Sequence, residues 1–200
     1  MNEKYKKFII PGIIVGVLLL LALWIGGTYN GLVVSRENVN KAISNVDSQY
    51  QRRGDLIDNL VATVKGSSDF EQDTLTAVTE ARSKAGGAKI DASSSPEQIQ
   101  QYVEAQNQVT SSLSRLLVTV EAYPNIKSTD AYRDLMSQLE GTENRIQVAR
   151  SDFNEAARGY NTQTQTFPTR IVASLFGFAP QAYFEADAGT EKAPTVDFSN

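Results

Sequence analysis

The side chains able to do chemistry are few, and all of them offer oxygen or amine nitrogen. Asp55, Asp58 and Asn59 stand at offsets of three and four, neighbouring positions on one helix face. Paired carboxylates of that kind are the material for acid–base work or for holding a divalent cation. Lys65, followed by Ser67 and Ser68, is the minimal material for a serine nucleophile with a lysine base. Histidine and cysteine are absent from the chain. That excludes Ser-His-Asp and Cys-His catalysis, zinc fingers, haem held by histidine, and disulfides. A Mg²⁺ or Ca²⁺ site needs several converging oxygen ligands, and no loop has that density. A lysine–serine pair needs an oxyanion hole, and nothing marks one. Gly86-Gly87 follows no strand and precedes no Gly-Lys-Ser/Thr, so it reads as a linker and not as a phosphate loop. The expectation is therefore no catalytic residue, no metal and no cofactor. With 19 basic and 23 acidic side chains, the chain also lacks the basic surplus of a nucleic-acid binder.

The elements that must position these residues begin with a membrane segment. Not one charged residue occurs from Phe8 to Ser35. The stretch Phe8 to Ile25 alone spans about 27 Å as a helix, close to a hydrocarbon core. Residues 8–28 are expected to be a transmembrane anchor behind a short basic flank, residues 1–7. Tyr5 marks one interface and Trp24 with Tyr29 the other. Pro11 and Gly12 are placed in the first helical turn, where they are tolerated. The run is longer than the roughly 7–15 apolar residues of a signal peptide, and Ala22-Leu23-Trp24 offers no small-x-small cleavage site. The anchor is expected to stay uncleaved. Lys4, Lys6 and Lys7 precede it while only Arg36 and Lys41 follow closely, which favours a cytoplasmic N-terminus and an exported remainder.

Beyond the anchor the periodicity is helical throughout, and no stretch alternates as a strand does. Tyr29, Leu32, Val39, Ile43, Val46, Tyr50, Ile57, Leu60 and Val64 form one seam, interrupted only by Arg36 and Arg53. A second helix is expected over about Asp69–Ala85. A third starts at the cap Ser95 with Pro96 at its first position, follows Ile99, Val103, Gln106, Val109, Leu113, Leu116, Val120 and Tyr123, and is closed by Pro124. A fourth runs from the cap Thr129 to Phe167, where Pro168 stops it. Its seam holds Tyr132, Leu139, Ile146, Phe153, Tyr160 and Phe167 at intervals of seven, with Leu135, Thr142, Ala149, Ala156 and Gln163 between. The fold expected is all-α: one N-terminal transmembrane helix, then an antiparallel up-down bundle of about four long helices over residues 29–184. A two-chain coiled coil competes, since heptads fit both, and a homo-oligomer stays open. The acidic, small-residue tail 185–200 reads as disordered.

This layout sets three further expectations. With Tyr29 aligned to Phe167 at the membrane end, Arg53 comes opposite Glu143, with Glu140 one turn away. An arginine facing a core needs a carboxylate, so Arg53 is expected to pair with one of them; the alternative is that it snorkels to water. Asn154, Asn161, Arg150 and Arg158 share a face of the fourth helix with Ala149 and Ala157, which reads as solvated or as a partner surface. Phe167, Ile171, Leu175, Phe176, Phe178, Tyr183 and Phe184 cluster at the membrane end, either capping the bundle or resting on the bilayer with Tyr183 at headgroup depth and Arg170 at lipid phosphate.

The motifs along the chain resemble the LemA family of bacterial membrane-anchored helical proteins. They are Tyr29-Asn30 with Leu32-Val33 and Arg36, then QRRGDLIDNLVATVKG from Gln51 to Gly66, Ala81-Arg82, and EAYPNIK from Glu121 to Lys127. The longest begins at Leu139 and includes ENRIQVARSDFNEAARGYNTQTQTFP, ending at Pro168; Phe176-Gly177-Phe178 and Tyr183-Phe184 follow. One departure is Asp58, where the family commonly has proline, so the first helix is expected to run straighter here. The resemblance implies a bundle tethered in the bacterial cytoplasmic membrane and supplies no activity. A non-enzymatic interaction or scaffold role in the cell envelope is expected, with the bilayer and another membrane or envelope protein as partners. The alternatives are a carboxylate-dependent enzyme or metal-binding protein, or an accessory to a membrane protease.

Overall fold

Each apolar seam becomes a helix. The computed structural model describes residues 3–66, 70–91 and 94–185, with side chains from Ile10 onward. α1 spans Glu3–Lys65, α2 Gln72–Gly87, α3 Pro96–Val120, α4 Pro124–Lys127, α5 Asp130–Gln165 and α6 Thr169–Leu175. Among the described residues there is no strand. The tail beyond Glu185, expected to be disordered, lies outside the described residues, as do Ser67, Ser68 and the expected start of the second helix at Asp69.

α1 is a single helix of 63 residues that carries both the apolar stretch and the first seam. It begins earlier than expected, so Pro11 lies inside the helix and not in its first turn. From Ile10 to Trp24 its large apolar side chains are exposed, with no core against them. Among the described residues one helix is thus long and apolar enough to cross a membrane. From Leu32 onward the same helix is buried along one side, and it continues unbroken through Asp58.

The bundle runs up, down, up, down. α1 packs along α5, α2 pairs with α3, and the two pairs face each other. The core divides into two clusters. The one nearer the apolar stretch joins Leu32, Val39, Ile43 and Val46 to Ile146, Phe153 and Tyr160 of α5 and to Val172, Phe178 and Phe184 beyond it. The distal one joins Ile57, Leu60 and Val64 to Leu75 and Val78 of α2, Leu116 and Val120 of α3, and Leu139. α3 starts as foreseen, with Ser95 accepting from the Gln98 amide and the Gln98 side chain returning the bond, a capping box. Thr129 caps α5 by accepting from Tyr132 N–H.

Several expected details shift. Gly86 and Gly87 form the last turn of α2 and not a linker. α3 ends at Val120, and Pro124 opens the short α4 where it was expected only to close the third helix. The α3 seam uses Tyr102, fully buried, where Val103 was expected; Val103 is half-buried. In α5 Tyr160 keeps the heptad of Phe153, but the positions between shift by one residue, to Ala157 and Thr164 with Asn161 beside them, while Ala156 is half-buried and Gln163 exposed. A straight helix drifts about 20° per heptad, which accumulates to about one residue's 100° over the 36 residues of α5. α5 ends at Gln165, so Phe167 falls outside the seam and is 83% exposed.

Candidate functional site

Three polar constructions stand out against the apolar seams, and each involves residues expected to matter.

The first lies at the waist between the two core clusters. Arg53 is 2% exposed, and both terminal nitrogens of its guanidinium are engaged. Nη1 donates to Glu143 Oε1 at 3.1 Å and to Thr110 Oγ1 at 3.1 Å. Nη2 donates to the Gln106 side-chain oxygen at 2.6 Å and to its carbonyl at 3.2 Å. The Tyr50 ring lies 4.9 Å from the guanidinium carbon, a cation–π contact. Glu143 is the carboxylate in contact, while Glu140 is exposed on the surface. Below this layer Tyr50 meets Tyr102 edge-to-face at 5.6 Å, and Tyr102 donates to Asp47 Oδ1 at 3.3 Å. Burial, and then the Asp47 charge, push the Tyr102 hydroxyl well above the usual tyrosine range. Tyr102 was not foreseen, because a seam drawn through Val103 satisfies the same spacing.

The second construction is the carboxylate pair. Arg82 on α2 reaches Asp58 Oδ2 at 2.8 Å and Asp55 Oδ1 at 3.9 Å. The pair is therefore spanned by a guanidinium, and no cluster of three metal-ligating side chains occurs among the described residues. Asn59 is exposed, and Lys65 is exposed at the end of α1. An open cleft of about 360 Å³ lies between Arg53 and Arg82, also lined by Asp47, Gln51, Lys89 and Gln106. Its charges are mixed, and both arginines already have carboxylate partners.

The third corrects the expected solvated face of α5. Gly177, at φ 74°, ends α6 in the left-handed region, which lets Phe178 N–H reach the Ala173 carbonyl at 2.9 Å and turns the chain back along the bundle. The returning segment runs extended over α5 and is gripped by two asparagines. Asn161 donates to the Gln181 carbonyl at 2.7 Å and accepts from Gln181 N–H at 2.6 Å. Asn154, two turns away, does the same with Phe184 at 2.9 Å in both directions. A side-chain amide offers one donor and one acceptor, the pairing an extended backbone otherwise finds in a sheet. Arg150 donates to the Glu185 carbonyl at 2.7 Å and covers the Phe184 ring. Arg158 alone of the four faces solvent.

That return divides the aromatic cluster. Phe178 and Phe184 are buried, Phe184 edge-on to Phe153 at 5.0 Å. Phe167, Ile171, Leu175 and Phe176 are exposed, beside the point where α1 leaves the bundle. Tyr29 touches both groups, at 5.0 Å from Phe176 and 5.5 Å from Phe178. Tyr183 is carried back along the bundle with Phe184, which Asn154 holds about 15 Å from the end of α5.

A long helix with a free apolar end, joined without a break to an all-α bundle and strapped by an asparagine-held return, defines a helical protein with one candidate membrane helix. The chain belongs to the LemA family, whose model matches residues 42–198. Curated relatives include Magnetosome protein MamQ 2 of Paramagnetospirillum magneticum, 28% identical over 78% of this chain and 64% of its own length. The MamQ of Magnetospirillum gryphiswaldense is 28% identical over 80% of this chain and 66% of its own. Protein LemA of Metamycoplasma hominis is 26% identical over 80% of this chain and 70% of its own. The chain thus spans a little under two thirds of the MamQ relatives.

Proposed function

We propose that the protein is a single-pass, membrane-anchored scaffold of the bacterial cell envelope, presenting a non-catalytic helical bundle to another membrane or envelope protein. The observation that supports this is the continuity of α1. One helix carries the exposed apolar stretch and the buried bundle seam, so the bundle stands on its anchor with no hinge between them. The buried Arg53 and the surface Arg82 are each turned on carboxylates of another helix, in arrangements that hold helices together. The lysine excess before the anchor supports a cytoplasmic N-terminus and an exported bundle.

Photo-crosslinking in living cells tests the scaffold reading. Val118 of α3 and Val148 of α5 are exposed large apolar residues on the bundle flank, suited to carry the photoreactive group. A recurring stoichiometric partner at either position supports the role; no recurring partner at both overturns it. Orientation is read by placing cysteine at exposed Ser151 in this otherwise thiol-free chain. The proposed topology requires labelling by a membrane-impermeant thiol reagent in intact cells, after outer-membrane permeabilisation where there is one. Labelling only after lysis reverses it.

A further inference from the structure

α6 presents an apolar face to each side. Val172 and Ala173 point into the core, 2% and 1% exposed. The opposite side carries Ile171 and Leu175, flanked by Phe167 and Phe176, and all four are at least half exposed. A water-facing surface helix normally presents polar residues there. Contiguous exposed apolar groups of this size mark an interaction surface. Position decides which. Phe176 packs on Tyr29, the residue just beyond the anchor segment of α1, and Trp24 lies about one and a half turns further toward the membrane. The exposed face therefore continues directly from the surface of the apolar stretch of α1. Arg170 is exposed beside it, a cation at the level where phosphate groups begin.

We propose that Phe167, Ile171, Leu175 and Phe176 form a foot that rests in the bilayer interface, a second lipid contact that fixes the bundle's tilt on the membrane. The inward residues of the same segment, Phe178 and Phe184, cap the core, so one stretch of chain does both jobs by dividing its aromatic rings between two directions. The proposal rests on the membrane-anchor reading of α1.

The chain's single tryptophan makes the two separately testable. Full-length protein is reconstituted in phosphatidylcholine vesicles with or without bromine on the acyl chains near the interface, where bromine quenches tryptophan on contact. Trp24 in the unmodified protein reports the anchor. Phe167→Trp and Ile171→Trp, each in a Trp24→Phe background, report the foot, and both sites are exposed enough to take the ring without repacking. Val118→Trp in the same background, at the distal end, is the dry control. For a foot lying ~5–10 Å into the headgroup boundary, Phe167→Trp and Ile171→Trp should lose about half their emission in brominated vesicles. The Val118→Trp control should be unchanged. Quenching of Trp24 with no quenching at either foot position overturns the foot while leaving the anchor standing; in that case the face docks on protein. No quenching at Trp24 removes the anchor, and the foot with it.

Discussion

Arg53 of α1 and Glu143 of α5, ninety residues apart in the chain, meet at 3.1 Å in a polar layer that separates two apolar cores. The guanidinium is almost wholly buried, while the carboxylate keeps 39% of its side-chain surface in water. The two ends of this pair therefore differ in what their removal does. Arg53→Ala strips the partner from Gln106 and Thr110 as well and opens a cavity, and it should cost about 3–5 kcal/mol. Glu143→Gln keeps a hydrogen-bond acceptor in a half-exposed position and should cost about 1 kcal/mol. Urea unfolding of the two variants and their double mutant should give a coupling of about 0.5–2 kcal/mol. Zero coupling would show that Gln106 and Thr110 alone hold the arginine.

The strap over α5 depends on asparagine amides. Asn161→Ala leaves the buried N–H and carbonyl of Gln181 without partners and should cost about 1–3 kcal/mol. Hydrogen exchange should then quicken at the Gln181 and Phe184 amides before it changes in α1. Gln181 itself is a different case. Its side-chain nitrogen is buried with no hydrogen-bond partner, so Gln181→Met should be neutral or stabilise by up to ~1 kcal/mol, since the backbone bonds to Asn161 remain.

Ring position separates the two halves of the aromatic cluster. Phe178→Ala and Phe184→Ala should each cost about 3–5 kcal/mol, the loss expected for a fully buried ring. Phe167→Ala should change stability by less than about 0.5 kcal/mol. Thermal unfolding in a detergent that supports the anchor would show the contrast. Equal effects at Phe167 and Phe178 would contradict the observed division.

Alkaline pH should loosen the bundle through its tyrosines. Burial raises the hydroxyl pKa of Tyr102 and, by the same cause, those of Tyr132 and Tyr160. An acid whose folded pKa lies above its unfolded value of about 10 is protonated in both states below that value. Above it, only the unfolded chain releases the proton. Stability is then fully present below pH ~10 and falls as pH rises beyond it. Tyr102→Phe should flatten that fall while costing about 1 kcal/mol at neutral pH for the lost bond to Asp47. An alkaline limb unchanged in Tyr102→Phe would assign it to other groups.

Gly141 and Gly159 lie inside α5, and a methyl group built on either meets no atom within 4 Å. Gly141→Ala and Gly159→Ala should each stabilise by about 0.5–1 kcal/mol, from helix propensity alone. Denaturation midpoints that rise together, with an unchanged slope, would show it; a fall would reveal a neighbour at that surface.

Much of this architecture follows from the residues taken in order. Spacings of three and four mark the seam of α1, Ser95-Pro96 and Thr129 mark helix starts, and the uncharged run from Phe8 marks the free apolar end, because each depends on neighbours within a few turns. The position of Arg53 on an apolar seam is equally local, and short connections restrict its partner to one turn of α5. What only the tertiary structure decided involves choices that local spacing leaves level. Tyr102 and Val103 fit the α3 seam equally well until Tyr50 and Asp47 stand opposite. The drift of a straight helix moves the α5 stripe from Ala156 and Gln163 to Ala157 and Thr164, and packing along the full length of α1 is needed to express it. Asn154 and Asn161 look solvated because the chain that covers them arrives some twenty to thirty residues later. The aromatic residues after Pro168 carry no period that says which turn inward. Gly177 reverses the chain there, and which rings find the core depends on where the bundle's open side happens to be.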